Sequence, residues 1–226
     1  RELVSAIGLN AAPLKHTGDV SAKDFAAVMA QAAGTPKEKV VSHQLLRTMA
    51  KARYDTKPLG HFGLALADYC HFTSPIRRYP DTSIHRIMGA FLSGESRETL
   101  EHRFSEFAAH SAKQSSDREV KAMQSERSAD DCYAAEYMAQ HLGEDYDGVI
   151  SGVTMRGVFV QLPNTVEGFV PVAAFEEKHY EFDGQVSQVD AVTKERLTIG
   201  DPMRVRCAAA DVSSGRIDFM PAPADR

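Results

Sequence analysis

This chain of 226 residues is narrowed first by what it lacks. It has no tryptophan and no apolar run approaching 18 residues, and its first residues show no basic-then-apolar pattern. Neither a membrane-spanning helix nor a secretory signal is expected from it. Its three cysteines, Cys70, Cys132 and Cys207, are odd in number and far apart, which excludes a disulfide framework and reads as reduced cytosolic thiols. The nine histidines form no HxxxH pair and no CxxC accompanies them, so no metal is assigned to them. A surplus of positive charge is missing too. The formal net charge is −5, whereas simple polyanion binders are basic. Residues 1–142 hold 18 basic and 17 acidic side chains, and residues 143–226 hold 8 and 14, which argues against tight, charge-driven nucleic-acid binding in the second part. Repeats and low-complexity tracts are absent. What remains, 43% hydrophobic and 25% charged, is the composition of a globular protein with room for one or two cores.

Periodicity divides the chain near residue 142. Before it the pattern is mainly helical. Ser21 with Asp24 forms a capping box ahead of Phe25, Val28, Met29 and Ala32, and Gly34 ends that segment. Thr35, Pro36 and Glu38 signal a second start, with Val41, Leu45, Met49 and Ala52 along one buried face. Phe62 to Ala67 reads as a short buried strand or extended segment. Ile84, Ile87, Met88 and Phe91 should bury the helix that follows. A long helical region starts at Ser96 with Leu100, Phe104 and Phe107 inward; residues 109–119 are either a solvated helix or a break, and Tyr133, Tyr137 and Met138 restore an apolar face. After residue 143, five β-rich runs at 149–153, 157–162, 166–172, 202–208 and 215–219 alternate with turn signals, as in a small closed OB-type barrel. The expected fold class is α+β: a helical domain over 1–142, a five-stranded OB-fold barrel over 143–220, and a disordered tail at 221–226.

The most informative stretch is HFGLALADYCHFTSPIRRYPDTSIHR at 61–86. Arg77 and Arg78 follow Ser74-Pro75, a pair that reads as the cap and first position of a helix. A helix start already carries partial positive charge, so two guanidinium groups there need an anion in front of them, and a phosphate fits. Pairing with Asp68 or Asp81 is the equally weighted alternative. Pro80 should bend or restart the helix.

TSPIRRYPD with IHR after it and HFGLA before it resembles the catalytic RNB domain of the RNase II/RNase R family of 3′-to-5′ exoribonucleases, nearest its bacterial RNase R branch. GTPKEKVVSHQLLRTMAKARY at 34–54, SER and AEYM within 125–138, and DGVISGVTMRGVFVQLPNTVEGFVPV at 147–172 agree. The resemblance implies hydrolysis of single-stranded RNA to nucleoside monophosphates with magnesium. It makes Arg77 the arginine at the scissile phosphate and Arg78 a neighbouring phosphate contact or an ion-pair partner. Thr73 and Ser74 become phosphate donors or plain helix caps, Tyr79 a base-stacking or a core residue, and Glu126 an acid near the 3′ end of the RNA. In the barrel, Phe169 is a candidate base platform and Phe159 either a base platform or a core residue, with Tyr180 and Phe182 also available, and Arg204 with Arg206 on one strand face adds charge. Two positions depart from the family pattern: Arg156 stands in place of an aromatic residue before GVFV, and Pro171 in place of histidine after GFV.

The family holds its two metal ions with clustered aspartates near the start of the catalytic domain, and no such cluster occurs here; Asp130-Asp131 and Asp145 with Asp147 stand apart from the arginines. The chain also opens on Arg1, inside what reads as the end of a helix. It is therefore expected to be the C-terminal part of a cytoplasmic, monomeric exoribonuclease, inactive alone, with single-stranded RNA and the N-terminal half of the RNB domain as partners. The alternative is a non-catalytic RNA-binding module of the same folds.

Overall fold

In the computed structural model, residues 1–14, 20–35, 38–175, 178–184 and 186–223 are described. They divide into two compact units, residues 1–48 with 126–226, and residues 49–125.

The first unit opens with α1 (Glu2–Ala6), α2 (Ala22–Ala32) and α3 (Glu38–Thr48). The capping box forms as expected: Ser21 N–H donates to Asp24 Oδ2 at 2.8 Å and Asp24 N–H to Ser21 Oγ at 3.3 Å. Gly34 takes a left-handed backbone after α2 (φ 71°), and Pro36 lies outside the described residues. Val4, Ala11, Leu14, Val28, Ala32, Val41 and Leu45 form one apolar core. Met49 and Ala52, expected on the same stripe, lie beyond the end of α3 and are exposed. The helical period stops at Thr48, so it cannot turn them inward.

The barrel belongs to the same unit. Strands β1 (Asp145–Thr154), β2 (Gly157–Gln161), β3 (Glu167–Pro171), β7 (Pro202–Asp211) and β8 (Arg216–Pro221) close in the order β1-β2-β3-β8-β7, with β3 and β8 parallel. These are the five strands the alternation implied. Between them sits a separate antiparallel sheet of β4 (Tyr180–Phe182), β5 (Ser187–Asp190) and β6 (Arg196–Thr198), which the sequence pattern did not reveal because three or four residues give too few alternations. Ile150, Val158, Val160, Val170, Val205, Cys207, Ile217 and Phe219 fill the barrel. Ala135 and Met138, from the last turns of α5 (Arg97–Ala139), complete this core. Tyr133 and Tyr137, expected on that apolar face, are exposed. The expected disordered tail begins too early: Pro221 ends β8 and Ala222 N–H donates to Arg204 O at 3.0 Å, while residues 224–226 lie outside the described set.

Gly168 on β3 has no room for a side chain, since a Cβ there would stand 2.4–2.7 Å from three Phe219 ring carbons. Phe219 is itself fully buried. Gly168→Ala is expected to destabilise the barrel by about 1–3 kcal/mol through overpacking, read as a lower midpoint in urea. An unchanged midpoint would show that the ring can move aside at no cost.

The second unit holds residues 49–125: an irregular stretch, α4 (Tyr79–Leu92) and the first 29 residues of α5. Phe62–Leu64 is a 3₁₀ turn closed by the His61–Leu66 bridge, and Phe62, Leu64 and Leu66 are exposed, so the expected buried strand is absent. The left-handed Ala65 (φ 53°) breaks extension there. Along α4 the buried residues are Asp81 and Ser83, whereas Met88 and Phe91 face solvent against expectation. α5 runs unbroken for 43 residues, about 65 Å, which selects a helix over a break at 109–119, though Ser111 on it is buried and the stretch is not solvated all round.

Candidate nucleic-acid interface

Ser74-Pro75 does not start a helix. It opens a turn in which the Arg77 and Arg78 N–H groups both donate to Ser74 O, at 3.2 and 3.1 Å. The helix begins at Tyr79, with Arg78 as its N-cap and Pro80 in its first turn, where a missing N–H costs nothing. Pro80 therefore neither bends nor restarts α4, and Ser74 does not cap it.

Asp81 organises this turn. Its side chain is fully buried, and its carboxylate accepts Ser74 N–H at 2.7 Å, Arg78 Nε at 3.0 Å and Arg78 Nη2 at 2.9 Å. Burial by itself raises the Asp81 carboxyl pKa, but the Arg78 and Ser74 hydrogen bonds outweigh it and hold the group below its ordinary value. Arg78 is thus the fork of a bidentate pair and not a free phosphate contact. Arg77 is exposed, and no ion pair or hydrogen bond of its side chain occurs among the described residues. Of the two alternatives, pairing with Asp81 is realised at Arg78, and Arg77 takes no part in it. Thr73 and Tyr79 are exposed beside Arg77, and Tyr79 is not a core residue.

Behind the turn lies an aromatic group whose His71 and Tyr69 the sequence did not single out. Tyr54 Oη lies 3.0 Å from His71 Nδ1, and Tyr69 packs edge-on against both His61 and His71. Tyr54 is tied to α5 through Ser116, whose Oγ accepts Tyr54 N–H at 2.9 Å. Burial first, and then the Arg78 cation, lower the His71 pKa below its ordinary value. The unfolded chain takes up that proton near pH 6.5 and the folded chain resists it, so stability is full above pH 6.5 and falls as acid approaches the folded value. Thermal melts between pH 7.5 and 5 should show a shallower acid loss for His71→Asn than for the parent; parallel curves would assign the loss to other groups.

In the barrel, Phe159 on β2 and Phe169 on β3 are register partners with ring centroids 5.1 Å apart. Val158 and Val160 take the interior, which leaves Phe159 on the outer face at 36% exposure. Arg156 is exposed in the β1–β2 turn and makes no ion pair among the described residues. Arg204 and Arg206 do lie on one face of β7, but they are opposed in register by Asp147 and Asp145. Arg206 is bidentate to Asp145 at 2.6 and 3.0 Å, and Arg204 Nη1 stands 3.6 Å from Asp147. Their charge is therefore offset locally, contrary to the expected added basic face. The alternating D-x-D of 145–147 facing R-x-R of 204–206 was a readable sign of this pairing. Tyr180, expected to be available, is buried against Phe175, and Phe182 is half-buried. Glu126 is exposed on α5.

Among the described residues, no three His, Cys, Asp or Glu side chains stand together as metal ligands. Asp145 and Asp147 are engaged by arginines, and Asp130 with Asp131 is exposed on α5. These residues do not fit a two-metal site. No helix among the described residues is long and apolar enough to cross a membrane.

Residues 4–94 match the RNB domain and residues 140–220 the S1 RNA binding domain. Ribonuclease R 1 of Lactococcus lactis is 36% identical over 91% of this chain and 25% of its own length. Ribonuclease R of Aquifex aeolicus is 37% identical over 96% of this chain and 30% of its own. The chain belongs to the RNase II/RNase R family. It spans 25–30% of the length of these two relatives. Mycoplasma genitalium RNase R, solved in complex with ribose-methylated single-stranded RNA, shares the fold at a TM-score of 0.89, over 98% of this chain and 35% of that one, at 24% identity. The arginine turn lies inside the RNB match and the whole barrel inside the S1 match, whereas Glu126 falls between the two.

Proposed function

We propose that this chain is the C-terminal part of the RNB domain, followed by the S1 domain, of an exoribonuclease that hydrolyses single-stranded RNA from the 3′ end to nucleoside monophosphates. One observation carries the reading furthest. Of two adjacent arginines, Arg78 is consumed by a buried carboxylate, while Arg77 extends from the same turn with a guanidinium that pairs with no acid among the described residues. A solvated surface cation needs no such clamp, whereas a phosphate-contacting arginine gains from a fixed origin. Phe159 with Phe169 offers stacking area for bases, and Arg156 a charge at the rim of that face. Thr73, Ser74, Tyr79 and Glu126 remain secondary RNA contacts in this reading.

Magnesium, and with it activation of the attacking water, belongs in this reading to the N-terminal half of the RNB domain. The second unit suits such a partner: Ile76 is 96% exposed, and Phe62, Leu64, Leu66, Phe91 and Leu92 are all open to solvent. The 226-residue chain alone is accordingly inactive. Purified chain incubated with magnesium and 5′-labelled single-stranded RNA should leave it intact, while the complete reading frame shortens it progressively from the 3′ end. Magnesium-dependent degradation by the chain alone, abolished by Arg77→Ala, would overturn the inactivity; an inert complete frame would favour a non-catalytic module.

A further inference from the structure

The turn that carries Arg77 is tied at several backbone positions. Asp81 binds its N-terminal end through Ser74 N–H and its C-terminal end through the Arg78 guanidinium, so one buried carboxylate closes a five-residue loop. Thr82 Oγ1 donates to Pro75 O at 3.2 Å, one helical position further on. His85 Nε2 donates to Phe72 O at 2.8 Å, and its ring lies 4.3 Å from that of Phe72. Asp81, Thr82 and His85 all lie in the first two turns of α4, which is itself joined to α5 by the buried Ser83–Ser111 hydroxyl pair at 2.7 Å. The Arg77 side chain is exposed and makes no ion pair or hydrogen bond among the described residues, so of the charged groups of this turn it is the one left to reach outward.

We propose that Arg78 and Asp81 are positioning residues, which touch no RNA themselves and act by holding the 74–78 turn so that the Arg77 guanidinium meets a phosphodiester. The proposal rests on the reading of Arg77 as the phosphate contact, and it reassigns Arg78 from that role. A planar fork with two parallel hydrogen bonds fixes the distance between residues 78 and 81 and the orientation of the turn, which a single ammonium cannot do. Displacing a catalytic group by about 1 Å can cost as much as 10²-fold in rate.

The test is a double-mutant cycle in the complete enzyme, read as single-turnover rate and RNA affinity separately. Arg78→Lys and Asp81→Asn should each lower the rate about 10- to 100-fold with affinity nearly unchanged. In an Arg77→Ala background, the same substitutions should cost less than about twofold more, because they act through a group already gone. Additive losses would make Arg78 an independent contact and overturn the proposal, as would full activity of Arg78→Lys or a loss confined to affinity. Near-UV circular dichroism verifies the fold of each variant, and if Asp81→Asn does not fold, the Arg78→Lys cycle decides alone. A silent Arg77→Ala removes the underlying reading and this proposal with it, whereas a severe Arg77→Ala with additive partners overturns only the positioning role.

Discussion

Arg77→Ala in the complete enzyme is expected to lower the rate of RNA hydrolysis about 10³- to 10⁵-fold, the range seen when an arginine is removed from a transferring phosphoryl group. RNA affinity should change far less, because one exposed cation contributes little to ground-state binding in water. The split follows from where charge develops. The non-bridging oxygens gain charge in the transition state, and a guanidinium already fixed in front of them needs no reorganisation when they do. In the proposed reading the turn supplies that fixed origin: the buried Asp81 carboxylate and the Ser74 carbonyl hold it, and no acid among the described residues pairs with the Arg77 side chain. Single-turnover kinetics on end-labelled RNA, paired with an equilibrium binding assay, makes the measurement. Equal losses in rate and binding would reduce Arg77 to a general backbone contact.

Phe159→Ala and Phe169→Ala are each expected to weaken binding of the 226-residue chain to single-stranded RNA about 5- to 150-fold, from roughly 1–3 kcal/mol per stacked base. The double variant should lose less than the product of the two, since rings 5.1 Å apart share one surface and each loses a neighbour when the other is removed. Salt should matter little by the standards of nucleic-acid binding. With Arg204 and Arg206 opposed by aspartates, Arg156 is the exposed arginine left near this face without an ion pair among the described residues. One phosphate neutralised at this face contributes about −0.7 to the log–log slope on a single strand, and Arg77 adds at most one more such contribution. Fluorescence anisotropy with a labelled oligonucleotide across a salt series reports both quantities. Unchanged affinity in the double variant would move the RNA off this face, and a steep slope would show that charge dominates after all.

The barrel was legible because its strands alternate cleanly. Val158 and Val160 with Phe159 between them, or Gly168 and Val170 around Phe169, state in five residues which side faces the core. The capping box of α2 was equally legible, since its partners are three residues apart. The loop around residues 49–72 was not. Its apolar residues suggested burial, but they are exposed here, and no local pattern tells an apolar residue that packs inward from one that awaits another surface.

By itself the sequence determined the family, the five barrel strands, the unusual doubling of arginine after Ser74-Pro75 and the acidic balance of the second part. Only the tertiary structure decided which acid, if any, each arginine meets. Arg77 and Arg78 are indistinguishable as letters, as are Arg204 and Arg206 from any free basic pair. Their roles separate once Asp81 is buried beneath one, and once Asp145 and Asp147 are brought into register across β1 and β7. The physical reason is that a charge counts toward a ligand only if no nearer opposite charge already satisfies it, and nearness between residues 61 positions apart is a property of the folded chain.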